Sequence, residues 1–120
     1  MLLFVYGTLR HGLPNHPFLE SAEFIGRAVT AKQYAMYVAS TGLPYLVKNE
    51  TVSRIVGEVY AVNRATMKAC DAFEGHPNWY RREQSMVETN ERLYAWIYFY
   101  IGKVKGKLVT SGNYAMAMSC

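Results

Sequence analysis

A chain of 120 residues with 51% hydrophobic and 18% charged residues excludes a disordered polypeptide and fits one domain over residues 1–120. At that length roughly two-thirds of the unfolded surface can be buried, so a core forms without covalent staples. The net charge of +4 leans mildly towards anionic partners, and a small surplus of Lys and Arg serving solubility accounts for it.

Residues 2–6 (LLFVY) read as a buried strand running into Gly-Thr-Leu-Arg-His-Gly. The apolar run is far shorter than the ~20 residues of a membrane span, and it lacks the basic region and cleavage site of a secretory leader. Residues 7–17 hold two prolines and two glycines and should form a loop. One helical turn is expected at 18–22, strands at 24–29 and 33–39, a turn at 40–44 and a short strand at 45–48. "KNET" at 48–51 is a tight turn and 55–62 a clear strand.

The strongest helix follows. Asn63 can cap it, Met67, Cys70 and Phe73 keep helical spacing along one side, Gly75 stands where a left-handed residue belongs, and Pro77 blocks continuation. Residues 80–88 and 92–101 form a hairpin around "TNE" at 89–91. Its second strand alternates Leu93, Ala95, Ile97, Phe99 and Ile101 with Tyr94, Trp96, Tyr98 and Tyr100, so one face is largely aliphatic and the other aromatic. Most of the chain beyond 101 is expected to be loop. Six or seven strands with one solid helix do not alternate as a doubly wound sheet would. The expected architecture is α+β: a small mixed sheet curled towards a barrel, with one main helix packed on it.

Cys70 falls in the apolar helical pattern and Cys120 is the last residue. Neither fits a disulfide framework or zinc-ligand spacing, and a reducing cytoplasmic setting is the natural expectation. His11, His16 and His76 all fall in loops without a metal-pair spacing, so no metal is assigned. No nucleophile elbow, phosphate loop or dinucleotide fingerprint occurs.

Two stretches carry candidate chemistry. A strand ending in Gly7-Thr8-Leu9 lets the backbone turn close to a ligand, and successive amides in such a turn can cradle a carboxylate or an oxyanion; a plain strand-to-loop turn is the structural alternative. Glu74 ends the amphipathic helix beside Phe73. Partial negative charge at a helix C-terminus and desolvation by apolar neighbours both raise a carboxyl pKa and make a better proton acceptor near neutral pH. A solvated acid at a helix end is its bland counterpart. Asp71, one turn earlier, is either a rival for the role or a like-charged neighbour. Tyr94, Trp96, Tyr98 and Tyr100, with Trp79, Tyr80 and Lys103–Lys107 (three lysines, at 103, 105 and 107), could stack bases, but a packed wall or a subunit contact is favoured.

"FVYGTLRHGLPNH" from Phe4, "GEVYAV" from Gly57 and "DAFEG" from Asp71 through "YRRE" at Tyr80 together resemble the gamma-glutamylcyclotransferase family, the AIG2-like fold. They are closest to its gamma-glutamylamine cyclotransferase branch, and the motifs cover roughly residues 2–100 in the family's order. The resemblance implies a small mixed fold around a curled sheet. It implies that Tyr6, Gly7, Thr8 and Leu9 form the substrate-binding loop and that Glu74 is the general acid and base. Arg10 stands where the family has Lys or Arg, without a role that follows from the match. The implied reaction needs no cofactor, because the substrate's own α-amine attacks its γ-carbonyl to give 5-oxoproline and a free amine. The expected partner is a small-molecule gamma-glutamyl substrate, with no nucleic acid and no membrane, and the oligomeric state is open. Cyclisation of gamma-glutamyl amino acids and a catalytically silent binding module of the same fold are the competing readings.

Overall fold

A computed structural model describes residues 1–114 of the chain. Its elements are β1 (Leu2–Val5), a 3-10 turn (His16–Leu19), β2 (Glu23–Val38), β3 (Pro44–Val47), β4 (Ser53–Ala61), α1 (Arg64–Glu74), β5 (Tyr80–Glu88), β6 (Arg92–Tyr100) and β7 (Lys107–Leu108). Five strands follow one another around a closed wall in the order β2-β4-β1-β6-β5. The ring shuts where Val29 and Thr30 of β2 pair with Glu88 and Val87 of β5. β1 is parallel to β6, and every other pairing is antiparallel. β3 and β7 flank the far end of β2 in a second small sheet.

The architecture agrees with the sequence expectation of a curled mixed sheet bearing one helix. The main difference lies in β2. Residues 24–29 and 33–39 are not two strands but one of 16 residues, with its ladder to β4 shifted between Val29 and Gln33. Thr30 explains why the chain stays extended there. Its buried hydroxyl donates to the Lys32 carbonyl at 2.6 Å and accepts from the Ile55 amide at 2.8 Å, while Arg54 Nε donates to the Thr30 carbonyl at 2.7 Å. Backbone groups released by the shift are thus partnered, and the bulge bends the strand from one sheet to the other. Two smaller shifts are the 3-10 turn, which precedes the helical turn expected at 18–22, and β7, which adds a short strand within the expected loop.

Both faces of β1 are buried, which is why it reads as a continuous apolar run. Phe4 points into the barrel with Met36, Ile55, Val59 and Ile97. Leu3 and Val5 point out, under α1, with Leu19, Met67, Cys70 and Tyr98. β6 divides its side chains likewise: Ala95, Ile97 and Phe99 fill the barrel, and Tyr98 lies beneath the helix. The other aromatics of that face serve mostly in packing. Trp96 lies under the Arg82 guanidinium at 4.5 Å, and Tyr100 packs on Tyr45 and Tyr80. Tyr94 is exposed. No helix among the described residues is long and apolar enough to cross a membrane.

Candidate active site

The end of β1 and the end of α1 meet at a cavity of about 210 Å³. Tyr6, Gly7, Thr8 and Leu9 line it from the strand side and Glu74 from the helix side, so the two stretches singled out in the sequence share one space. Pro44, at the start of β3, faces them. A Cβ on Gly7 would sit 2.6 Å from Pro44 Cγ, so only glycine lets the first strand turn this close to the β2–β3 hairpin.

Beyond Gly7 the loop is held by its own hydrogen bonds. The Arg10 amide donates to the Gly7 carbonyl at 3.0 Å, and the Asn15 amide and side chain donate to the Thr8 carbonyl and hydroxyl at 2.9 and 2.8 Å. His16 Nδ1–H donates to the Leu9 carbonyl at 3.0 Å. These bonds use the carbonyls of residues 7–9. Among the described residues nothing accepts from the Gly7, Thr8 or Leu9 amides, which leaves donors for an anion or a polarised carbonyl.

α1 delivers Glu74 by the stop signal legible in the sequence. Asn63 Oδ1 accepts from the Thr66 amide at 2.8 Å at one end. At the other, Gly75 adopts a left-handed φ of 69° and its amide closes on the Ala72 carbonyl. Glu74 is therefore the last helical residue. Phe73 beside it is not in the core with Met67 and Cys70 but stands at the cavity's edge, its ring 4.8 Å from that of Phe18.

The Glu74 carboxyl has no hydrogen-bond donor and no cation among the described residues. Three tyrosines surround it, yet their hydroxyls are committed elsewhere. Tyr6 donates to the Tyr98 carbonyl at 2.9 Å, Tyr98 to Asp71 Oδ1 at 2.7 Å, and Tyr80 to the Pro44 carbonyl at 3.4 Å. Burial raises the pKa of each of these phenols, so they line the site as neutral groups. Burial likewise pushes the Glu74 carboxyl up to about 7. Such a carboxyl holds and releases a proton with equal ease at neutral pH, as a group serving first as base and then as acid requires.

Asp71 is no rival for that role. Arg82 grips it in a two-pronged pair, Nε at 2.8 Å and Nη2 at 3.1 Å, and Tyr98 adds a third bond. Burial works to raise its pKa, but the hydrogen bonds from Arg82 and Tyr98 and the Arg82 charge prevail and hold it below the usual carboxylate range. Arg10 also lies apart from the cavity. It is buried, donates to Asn113 Oδ1 at 2.9 Å and stands 3.9 Å from Glu58 Oε2, which ties the loop to β4 and to the chain following β7. The basic residue after Gly-Thr-Leu thus fastens the loop to the barrel rather than lining the site.

Pro44, Leu43, Phe73, Tyr80 and Tyr98 also line the cavity without having been read as site residues. Tyr80 and Tyr98 carried a signal as members of the aromatic set on β5 and β6, and Phe73 as the apolar neighbour of Glu74 at the end of the helix. Leu43 and Pro44 arrive by long-range packing that no local pattern records. His11, His16 and His76 form no metal cluster with other ligating side chains among the described residues.

A family model described as gamma-glutamyl cyclotransferase, AIG2-like, matches residues 3–116. The chain is 47% identical over 115 residues to a Methanocaldococcus jannaschii protein named "Putative gamma-glutamylcyclotransferase MJ1514", with 93% of each chain covered. It is 38% identical over 97 residues to the human protein named gamma-glutamylaminecyclotransferase, which covers 75% of this chain and 63% of that one. The fold superposes on the crystal structure of the uncharacterized protein PH0828 from Pyrococcus horikoshii with a TM-score of 0.82 and 28% identity, over 99% of this chain and 93% of that one. By sequence and by fold, the chain belongs to the gamma-glutamyl cyclotransferase, AIG2-like family.

Proposed function

We propose that this protein is a gamma-glutamylamine cyclotransferase that releases 5-oxoproline and a free amine, with Glu74 as general acid and base. The observation that carries the reading is a single cavity lined by an unpaired carboxyl titrating near neutrality and by the turn with unused amides. The relatives' names support cyclotransferase chemistry, and the human relative's name supports an amine as the leaving group.

The substrate supplies the nucleophile. Its α-ammonium gives a proton to ionised Glu74, and the freed amine attacks the γ-carbonyl carbon, forming the ring C–N bond. The oxyanion that develops is met by backbone amides at residues 7–9, each worth about 3–4 kcal/mol when well aimed. As the oxyanion collapses, the bond to the leaving nitrogen breaks and Glu74 returns the proton to it. The ring nitrogen still carries two protons after the attack, and it gives up the surplus one through Glu74 to the departing amine, which leaves as an ammonium. The enzyme ends as it began, and no covalent enzyme intermediate forms. Folding the flexible glutamyl chain until nitrogen meets carbonyl supplies about 7–11 kcal/mol in favourable cases. Tyr6, Tyr80 and Tyr98 wall the space and exclude water. We place the reaction in the cytoplasm, where Cys70, a buried thiol with its pKa pushed up to about 11, persists as a free cysteine.

The test is a panel of gamma-glutamyl amides and gamma-glutamyl amino acids, with 5-oxoproline detected by mass, run on wild type and Glu74→Gln. Release by wild type and none by the variant is expected. Full turnover in the variant removes Glu74 from the mechanism, and a preference for amino-acid leaving groups overturns the amine assignment.

A further inference from the structure

A second cavity, of about 530 Å³, lies between the outer face of the β2–β4 pair and the loop that follows β1, and it shares no lining residue with the first. Its volume falls within the roughly 300–1,000 Å³ of sites that hold small molecules. Two cross-strand pairs lie on its sheet side: Phe24 opposite Tyr60, with rings 5.5 Å apart, and Arg27 opposite Glu58. His16 continues the wall of rings 5.6 Å from Tyr60, and His11 stands 5.2 Å from His16. Phe24 is 52% exposed, which leaves a flank of its ring for a flat ligand.

The charges on this lining are unevenly matched. Glu58 is buried and spent: its Oε1 accepts from the His11 amide at 2.8 Å and from the Tyr60 hydroxyl at 3.0 Å, and Arg10 Nε lies 3.9 Å from its Oε2. Arg27 is thereby left without its cross-strand carboxylate. Among the described residues no hydrogen bond or ion pair reaches the Arg27 guanidinium, and none reaches the Glu20 carboxyl, which also lines the cavity. Burial lowers the Arg10 pKa, Glu58 opposes that and the Arg27 charge adds to it, so Arg27 faces a like charge instead of a partner. An unpaired cation, an unpaired carboxylate and a wall of rings thus line one space. An aromatic α-amino acid carries the matching set: a carboxylate for Arg27, an ammonium for Glu20 and a ring for Phe24, Tyr60 and His16.

We propose that this second cavity binds a free aromatic α-amino acid, and that its occupancy steadies the turn lining the first cavity. His16 joins the two. Its ring packs on Tyr60 in the second cavity, while its Nδ1–H holds the carbonyl of Leu9, which lines the first. His11 adds another tie through its amide to Glu58 on β4. A ligand ring seated against the imidazoles must leave before the loop lifts from β4, so binding and opening of residues 7–16 exclude one another. No bond is made or broken at this site.

Calorimetric titration of the full chain with L-phenylalanine and L-tryptophan should reveal a saturable site. 3-Phenylpropanoate lacks the ammonium and 2-phenylethylamine lacks the carboxylate, and each should bind about threefold or more weakly. L-Alanine, which lacks the ring, should bind about tenfold more weakly. Arg27→Gln, Glu20→Gln and Phe24→Ala, all at exposed positions, should each reproduce the loss for the group it meets, with thermal melting confirming the fold. Glu74→Gln should leave L-phenylalanine binding unchanged. In hydrogen exchange, the Arg10 and Asn15 amides, whose bonds to the Gly7 and Thr8 carbonyls close the turn, should slow about tenfold at about ten times Kd. No binding of either aromatic amino acid, or equal binding of phenylalanine and alanine, overturns the site. Binding lost in Glu74→Gln but kept in Arg27→Gln moves the ligand to the first cavity and overturns it as well. Saturation without slower exchange overturns the link to the turn. None of these readouts requires turnover, so they stand or fall apart from the cyclotransferase reading.

Discussion

The last turn of α1 faces two neighbourhoods, and they treat the same functional group in opposite ways. On the β5 side, Asp71 is gripped by Arg82, bonded by Tyr98 and held ionised. On the cavity side, three residues later, Glu74 is surrounded by phenols whose protons are already committed, and it is left to titrate near 7. Both are acids on one helix, so residue type and helix position do not separate them. What separates them is which neighbour arrives first with a donor. The Asp71–Arg82 pair anchors α1 to the sheet, and that anchoring fixes where the neighbouring unpaired carboxyl stands.

The contrast is broken most severely at Glu74. Glu74→Gln should lower kcat by about 10²–10⁴-fold, the usual range for removing a general acid–base group, in a 5-oxoproline release assay. The same variant should be more stable than wild type above neutral pH. The wild-type carboxyl titrates near 7 in the folded chain and near 4.5 when unfolded, so the folded state holds its proton more tightly. Its contribution is therefore full below pH 4.5 and is lost as pH rises through 7, a difference of about 3 kcal/mol. Urea denaturation of both proteins at pH 5 and pH 8 should show a gap several times larger at the higher pH.

Gly7→Ala tests the other wall. Its Cβ would meet Pro44 Cγ at 2.6 Å, so the turn or the hairpin must move. A displacement near 1 Å of positioning groups costs about 10²-fold, and kcat/KM should fall by ten- to a hundredfold. Asp71→Asn should cost about tenfold in kcat and about 1–3 kcal/mol of stability, because Arg82 keeps its place on Trp96 without its carboxylate partner. The apparent pKa of the pH–rate profile should nevertheless stay where it was, since burial rather than Asp71 raises Glu74. A profile that moves with Asp71→Asn would merge the two neighbourhoods into one titrating unit. The smallest effect is in wild type itself: kcat/KM should climb with pH and reach half its plateau near pH 7.

Features governed by neighbours in the chain were legible in advance. The helix is bounded by Asn63 and Gly75, the β5–β6 hairpin by a three-residue turn, and the two buried faces of β1 by unbroken apolar character. Glu74 was recognisable because its helix stops there, and the raised pKa followed from apolar neighbours. What stayed hidden depends on distant partners. The continuity of β2 rests on Thr30 meeting Ile55 and Arg54, and closure of the barrel on Val29 and Thr30 meeting Glu88 and Val87. Arg10 could be placed only once Glu58 and Asn113 were beside it. Phe73 kept helical spacing with Met67 and Cys70, yet the helix overruns the core and leaves that ring at the cavity's rim.

The single long strand that serves both sheets has a further consequence. Its first half is a stave of the closed wall, seated between β4 and β5, while its last residues carry β3 and the two-residue β7. Losing the β7 rung frays an edge, but drawing out the inner half splits the wall on both sides at once. Deuterium should therefore enter the amides of residues 28–30 only through whole-molecule opening, whereas those at Lys107 and Leu108 exchange through local breathing, so one strand reports two levels of cooperativity.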